Sequence, residues 1–72
     1  MWEPAETAVQ EVREALGMSR RELAHEAGVS HSQISRYERG LVHPSRRWLR
    51  RVTATLGRLV AAYVQEDMLN DH

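Results

Sequence analysis

The 72-residue chain contains no cysteine, which excludes a disulfide framework, a thiolate metal site and a cysteine nucleophile. Lysine is absent too, so all ten basic residues are arginine, the side chain whose planar fork matches phosphate oxygens and guanine edges. Aspartate is confined to Asp67 and Asp71, and no partner is evident for Ser35 or Ser45. No carboxylate pair or activated nucleophile is recognisable as an enzyme site, and catalysis is not expected. The four histidines (His25, His31, His43 and His72) have no zinc-binding spacing. No metal or other cofactor is expected. The longest apolar run, Leu59 to Val64, is far shorter than the roughly 20 residues of a membrane span. The first residues, Met1-Trp2-Glu3-Pro4, lack the basic region and apolar stretch of a signal peptide. A soluble, cytoplasmic protein without membrane contact is the expectation. No run of alternating β-branched residues suggests a strand, and no repeat or low-complexity segment interrupts the chain.

What is present is apolar residues at the helical period. Ala5, Ala8, Val9, Val12 and Leu16 recur every three or four residues, behind a proline that suits a first helical position. Ser19-Arg20-Arg21-Glu22 has the form of a capping box, with Met18 and Leu23 as the flanking apolar staple. Ser30-His31-Ser32-Gln33 repeats that grammar, with Val29 and Ile34 as its staple. Gly28 between them suits the left-handed position after a helix end. Ser45 caps a further helix carrying Leu49, Val52 and Leu56 to Gly57, and a last amphipathic stretch shows Leu59, Val60, Tyr63, Val64 and Met68. The pattern predicts one all-α domain over residues 1–72 with five helices, near 4–16, 20–27, 31–39, 46–56 and 58–69. So short a chain buries only about 60% of its unfolded surface, so modest stability is expected.

The net charge is zero, but the charges are partitioned. Residues 1–18 set Glu3, Glu6, Glu11 and Glu14 against Arg13, for −3. Residues 19–58 set nine arginines against Glu22, Glu26 and Glu38, for +6, and residues 59–72 return to −3. Arg20 and Arg21 fall in the first turn of the second helix, and Arg46 and Arg47 in the first turn of the fourth. Cations there oppose the helix dipole by about 0.3–1 kcal/mol each. A phosphate bound at those turns would reverse the sign, because free amides and guanidinium groups would converge on one anion. Exposed arginines tolerated at small cost are the plainer alternative.

Two short helices joined by about three residues with a glycine have the spacing of a helix-turn-helix unit, whose second helix enters the DNA major groove. If Ile34 and Tyr37 face the core, then His31, Ser32, Gln33 and Arg36 face outward. Gln33 can offer a donor and an acceptor together to adenine, and Arg36 a fork to guanine, while His31 and Ser32 can bond to base edges or phosphates. A competing use exists: a Gln33 that turns back to the Ser30 amide caps the helix and is not free to read a base.

The stretch Met18–Leu56 closely resembles the Cro and lambda-repressor type of helix-turn-helix domain. The matching features are Ser19-x-x-Glu22-Leu23-Ala24, Ala27-Gly28-Val29-Ser30, Ile34-Ser35-x-x-Glu38-x-Gly40, and Pro44-Ser45 followed by Leu49, Val52 and Leu56. This resemblance implies a five-helix domain that binds operator DNA, usually as a symmetric dimer. It assigns base reading to His31, Ser32, Gln33 and Arg36, and phosphate binding to Ser19, Arg20, Arg39, His43 and Arg46; the dipole placement adds Arg21 and Arg47. It also implies that Arg13 of the first helix pairs with Glu38. The family commonly has glutamine where this chain has Arg20, which keeps a phosphate contact but not the glutamine's bridge to the first recognition residue. His31 likewise stands where glutamine is more usual.

Trp48 and the apolar face of residues 59–68 can serve as core, dimer seam or docking surface. Core is the default for such stripes. Helices one to four already supply core faces, so the last stripe leaves area for a homodimer with Leu59, Tyr63, Val64 and Met68 nearest its axis. The sequence therefore points to a transcriptional regulator, foremost a repressor that occupies double-stranded operator DNA. An antitoxin that represses its own operon while a toxin binds elsewhere is a second possibility. A protein-interaction module that keeps the fold without binding DNA is a third, suggested by the zero net charge.

Overall fold

A computed structural model describes residues 4–70 of the chain, and the side chains of residues 8–69. Four α-helices follow one another: α1 (Pro4–Ala15), α2 (Arg20–Ala27), α3 (His31–Glu38) and α4 (Arg46–Asn70). All the regular structure among the described residues is helical. The expectation of five helices is corrected to four. The helices placed near 46–56 and 58–69 are one 25-residue helix that runs through Gly57 without a break. Glycine in a helix interior costs only about 1 kcal/mol relative to alanine. That is too little to end a helix whose flanking residues are good helix formers and whose Leu56 lies in the core.

The shorter helices stop and start where the local chemistry requires. Ser19 and Ser30 are extended N-caps, and both capping boxes form. Ser19 Oγ accepts from the Glu22 amide at 3.0 Å and the Glu22 carboxylate accepts from the Ser19 amide at 2.9 Å. α2 closes at Gly28, whose φ of +67° admits the left-handed turn in which the Val29 amide returns to the Ala24 carbonyl at 3.0 Å. At the start of α4 the Ser45 hydroxyl accepts from the Trp48 amide at 3.1 Å.

α2 packs on α3 and α4, and α1 packs on α3 and α4. Val9, Leu23, Ala24, Ala27, Ile34, Tyr37, Val52 and Leu56 form the buried core. Val12, Leu16, Trp48, Leu49 and the two staple residues Met18 and Val29 cover its edges. Ala8 is exposed, and Ala5, expected on the same face, lies outside the described side chains. The first half of α4 thus completes the core. Beyond Leu59 every described side chain of the helix is exposed, so its second half projects past the body of the domain.

Candidate nucleic-acid interface

α2 and α3 are joined by residues 28–30 alone, the short turn of a helix-turn-helix unit. Ile34 and Tyr37 are 0% and 1% exposed, which fixes the roll of α3 about its axis. As a result His31, Ser32, Gln33 and Arg36 all lie exposed on the opposite side. The first turn of α3 carries no acidic residue, so nothing on it opposes a polyanion.

Gln33 is exposed yet committed. Its Oε1 accepts from the Ser30 amide at 3.1 Å and from the Trp48 indole Nε1 at 3.3 Å. The side chain therefore does turn back on the cap. The donor–acceptor grip on adenine expected of it needs that same oxygen, so this geometry does not offer it. Gln33, Arg36, Val42, Pro44, Ser45 and Trp48 line one recess of about 270 Å³ between the start of α3 and the start of α4.

The residues assigned to phosphate divide into two settings. Arg21, Arg39, His43, Arg46 and Arg47 are exposed, and the first turn of α4 has no acidic residue to neutralise Arg46 and Arg47. Arg21 shares a second recess with Ser19, Met18, Glu22 and His25. Arg20 is different. Its Nε donates to Glu38 Oε1 at 2.9 Å, while its side chain keeps 37% exposure. One edge of the guanidinium is thus tied to the protein's interior.

The Glu38 carboxylate that holds Arg20 is completely buried. It accepts a fork from Arg13, Nε to Oε2 at 2.7 Å and Nη2 to Oε1 at 2.9 Å, and the remaining Arg13 Nη1 donates to the Met18 carbonyl at 2.7 Å. The Arg13–Glu38 pair implied by the family resemblance is formed. Burial pushes the Glu38 carboxyl up, but hydrogen bonds and charge from Arg13 and Arg20 outweigh it and hold the group below its ordinary value. The hydrogen bond to Glu38 likewise raises Arg13. Backbone and hydroxyl hydrogen bonds from Ser19 hold Glu22 below its ordinary value. Arg13, Arg20 and Glu38 thereby tie α1, α2 and α3 together.

The contact of Trp48 with Gln33 is the site feature that the sequence does not disclose. One signal was present: a half-buried indole N–H needs an acceptor, and an exposed glutamine one helix away could supply it. Leu59 is half-buried, whereas Tyr63, Val64 and Met68 are 61%, 48% and 69% exposed.

This arrangement of a short glycine turn, an outward-facing second helix and a flanking set of arginines defines a DNA-binding regulatory domain. A helix-turn-helix family model matches residues 9–59, and the chain belongs to that family, the Cro and lambda-repressor type. Neither curated proteins nor solved structures give a match. Among the described residues no helix is long and apolar enough to cross a membrane, and no group of side chains could hold a metal ion.

Proposed function

We propose that the protein is a transcriptional repressor that acts by occupying an operator as a homodimer. What carries this function is the exposure of His31, Ser32, Gln33 and Arg36 together on the first turns of α3, with no acid among them. In this scheme α3 lies in the major groove and those four side chains meet base edges. Ser19, Arg20, Arg21, Arg39, His43, Arg46 and Arg47 bind the phosphates on either side. Arg20 does so through the part of its guanidinium not held by Glu38. Arg46 and Arg47 do so at the start of α4, where a phosphate would also meet free backbone amides.

The dimer is proposed from the projecting half of α4. Leu59 and Tyr63 lie to one side of the line that continues from Leu56 of the core and Val64 and Met68 to the other, and a two-fold contact along that line would cover them with their own copy. Two recognition helices would then meet successive major grooves about 34 Å apart, one turn of DNA.

A filter-binding titration across salt concentrations tests the function. The five phosphate-binding arginines of each protomer, about ten in the dimer, give a log–log slope of about −9 on the preferred duplex. Arg46→Ala is expected to weaken all duplexes alike and to make the slope about two units shallower, one for each protomer. Arg36→Ala should instead cost about 1–3 kcal/mol on the preferred site and relax selectivity at one base pair. No retention of any duplex at low salt would leave a protein-interaction module in place of a repressor.

A further inference from the structure

We propose that Trp48 is a specificity-determining positioning residue, which occupies the acceptor oxygen of Gln33 so that this side chain reads DNA through its amide hydrogens alone and favours guanine over adenine. The inference rests on the DNA-reading role proposed above and deepens it.

A side-chain carbonyl oxygen has two lone pairs. In Gln33 one takes the Ser30 amide at 3.1 Å and the other the Trp48 indole at 3.3 Å. The hydrogens on Nε2 are then the hydrogen-bonding groups the side chain has left to offer. Trp48 is itself firmly seated. Its ring meets Tyr37 edge-on, with centroids 5.3 Å apart and planes at 63°, and Tyr37 is 1% exposed. Its backbone amide is fixed by the Ser45 cap at 3.1 Å. Rotating the Gln33 amide by half a turn would set Nε2 against two N–H donors, so the orientation is locked from both sides.

Adenine presents a donor at N6 and an acceptor at N7, and a glutamine grips it with both ends of its amide. With Oε1 engaged, half of that grip is gone. Guanine presents acceptors at both O6 and N7, which suits a group that can only donate. Arg36, on the wall of the same recess, is likewise a donor without an acceptor. The mouth of the recess therefore offers hydrogens to an acceptor-rich edge.

The test is selection of bound duplexes from a randomised library by the full chain, with Gln33→Ala, Trp48→Phe and Gln33→Glu alongside. Gln33→Ala identifies the base pair that Gln33 reads, and the wild type is expected to prefer guanine there. Trp48→Phe keeps a ring on Tyr37 but removes the N–H. It should move the preference at that one base pair toward adenine by about fivefold or more, the lower end of what a two-bond contact discriminates. Gln33→Glu can still accept from Ser30 and Trp48 with one oxygen and presents the other outward, which predicts a switch to cytosine. The indole ¹⁵N–¹H resonance of Trp48 should shift in Gln33→Ala without DNA, because its acceptor is gone. A wild type that prefers adenine at this position overturns the proposal, as does Trp48→Phe with an unchanged preference and a native melting profile. Should Trp48→Phe fail to fold, an unchanged base preference in Gln33→Glu overturns it. Absence of any duplex binding would sink the DNA-reading role as well, so the two failures are told apart.

Discussion

Glu38 holds together three helices through a single buried carboxylate, with Arg13 reaching it from α1 and Arg20 from α2. A buried pair adds little net stability over an apolar substitute, but removing one partner strands the other, at about 3–5 kcal/mol. Arg20 is part-exposed, so its share of that loss is screened by solvent. Glu38→Gln is therefore expected to destabilise the domain by about 2–4 kcal/mol, read from urea unfolding. Domains of this size have only about 4–11 kcal/mol in total, so the loss is a large fraction. The pH dependence follows from the sign of the shift. The folded carboxyl lies below its unfolded value of about 4.3, so its stabilisation is fully present above that pH and disappears as pH falls through the folded value. The urea midpoint of the wild type should be level from neutrality down to about pH 5 and then drop, whereas Glu38→Gln should start lower and fall less.

At the level of the helix, how much could be read in advance depended on the reach of each interaction. Both capping boxes were legible because their partners are three residues apart and fix each other locally. The outward face of α3 was legible too, since Ile34 and Tyr37 mark the buried side. The Arg13–Glu38 pair spans 25 residues and came only with the family resemblance. The Trp48–Gln33 bond needed the side-by-side placement of the first turns of α3 and α4, which no local pattern encodes. Gly57 misled for a different reason. Glycine ends a helix when it takes the left-handed conformation, as Gly28 does, and Gly57 does not. A methyl group there would meet nothing within 4 Å. Gly57→Ala is accordingly expected to stabilise the protein by about 0.5–1 kcal/mol, raising the melting temperature by roughly 3–8 °C.

For the whole molecule, the projecting half of α4 is the feature the isolated domain does not explain. Leu56, Val60, Val64 and Met68 recur at four-residue intervals along one ridge, and Val60 also lines an apolar groove of about 410 Å³ between α1 and α4. Under the proposed dimer, Val64→Glu places a charge on the seam. It should weaken association at least about tenfold, the effect of 1.4 kcal/mol, in sedimentation equilibrium. Helix content by circular dichroism should be unchanged, because the residue is 48% exposed in the single chain. Loss of operator affinity in parallel would follow from the halved contact with DNA.

The fusion of two expected helices into one has a geometric consequence. A 25-residue α-helix is a rod of about 37 Å with a fixed phase of about 100° per residue. Its first turn holds the recess beside the recognition helix, and its far end carries the proposed seam. With no joint between them, the rod works as a ruler: the twist and separation of two paired recognition helices are set by counting residues. One residue added after Gly57 would turn the seam by about 100° relative to the recess, and two copies would then measure out a different stretch of duplex.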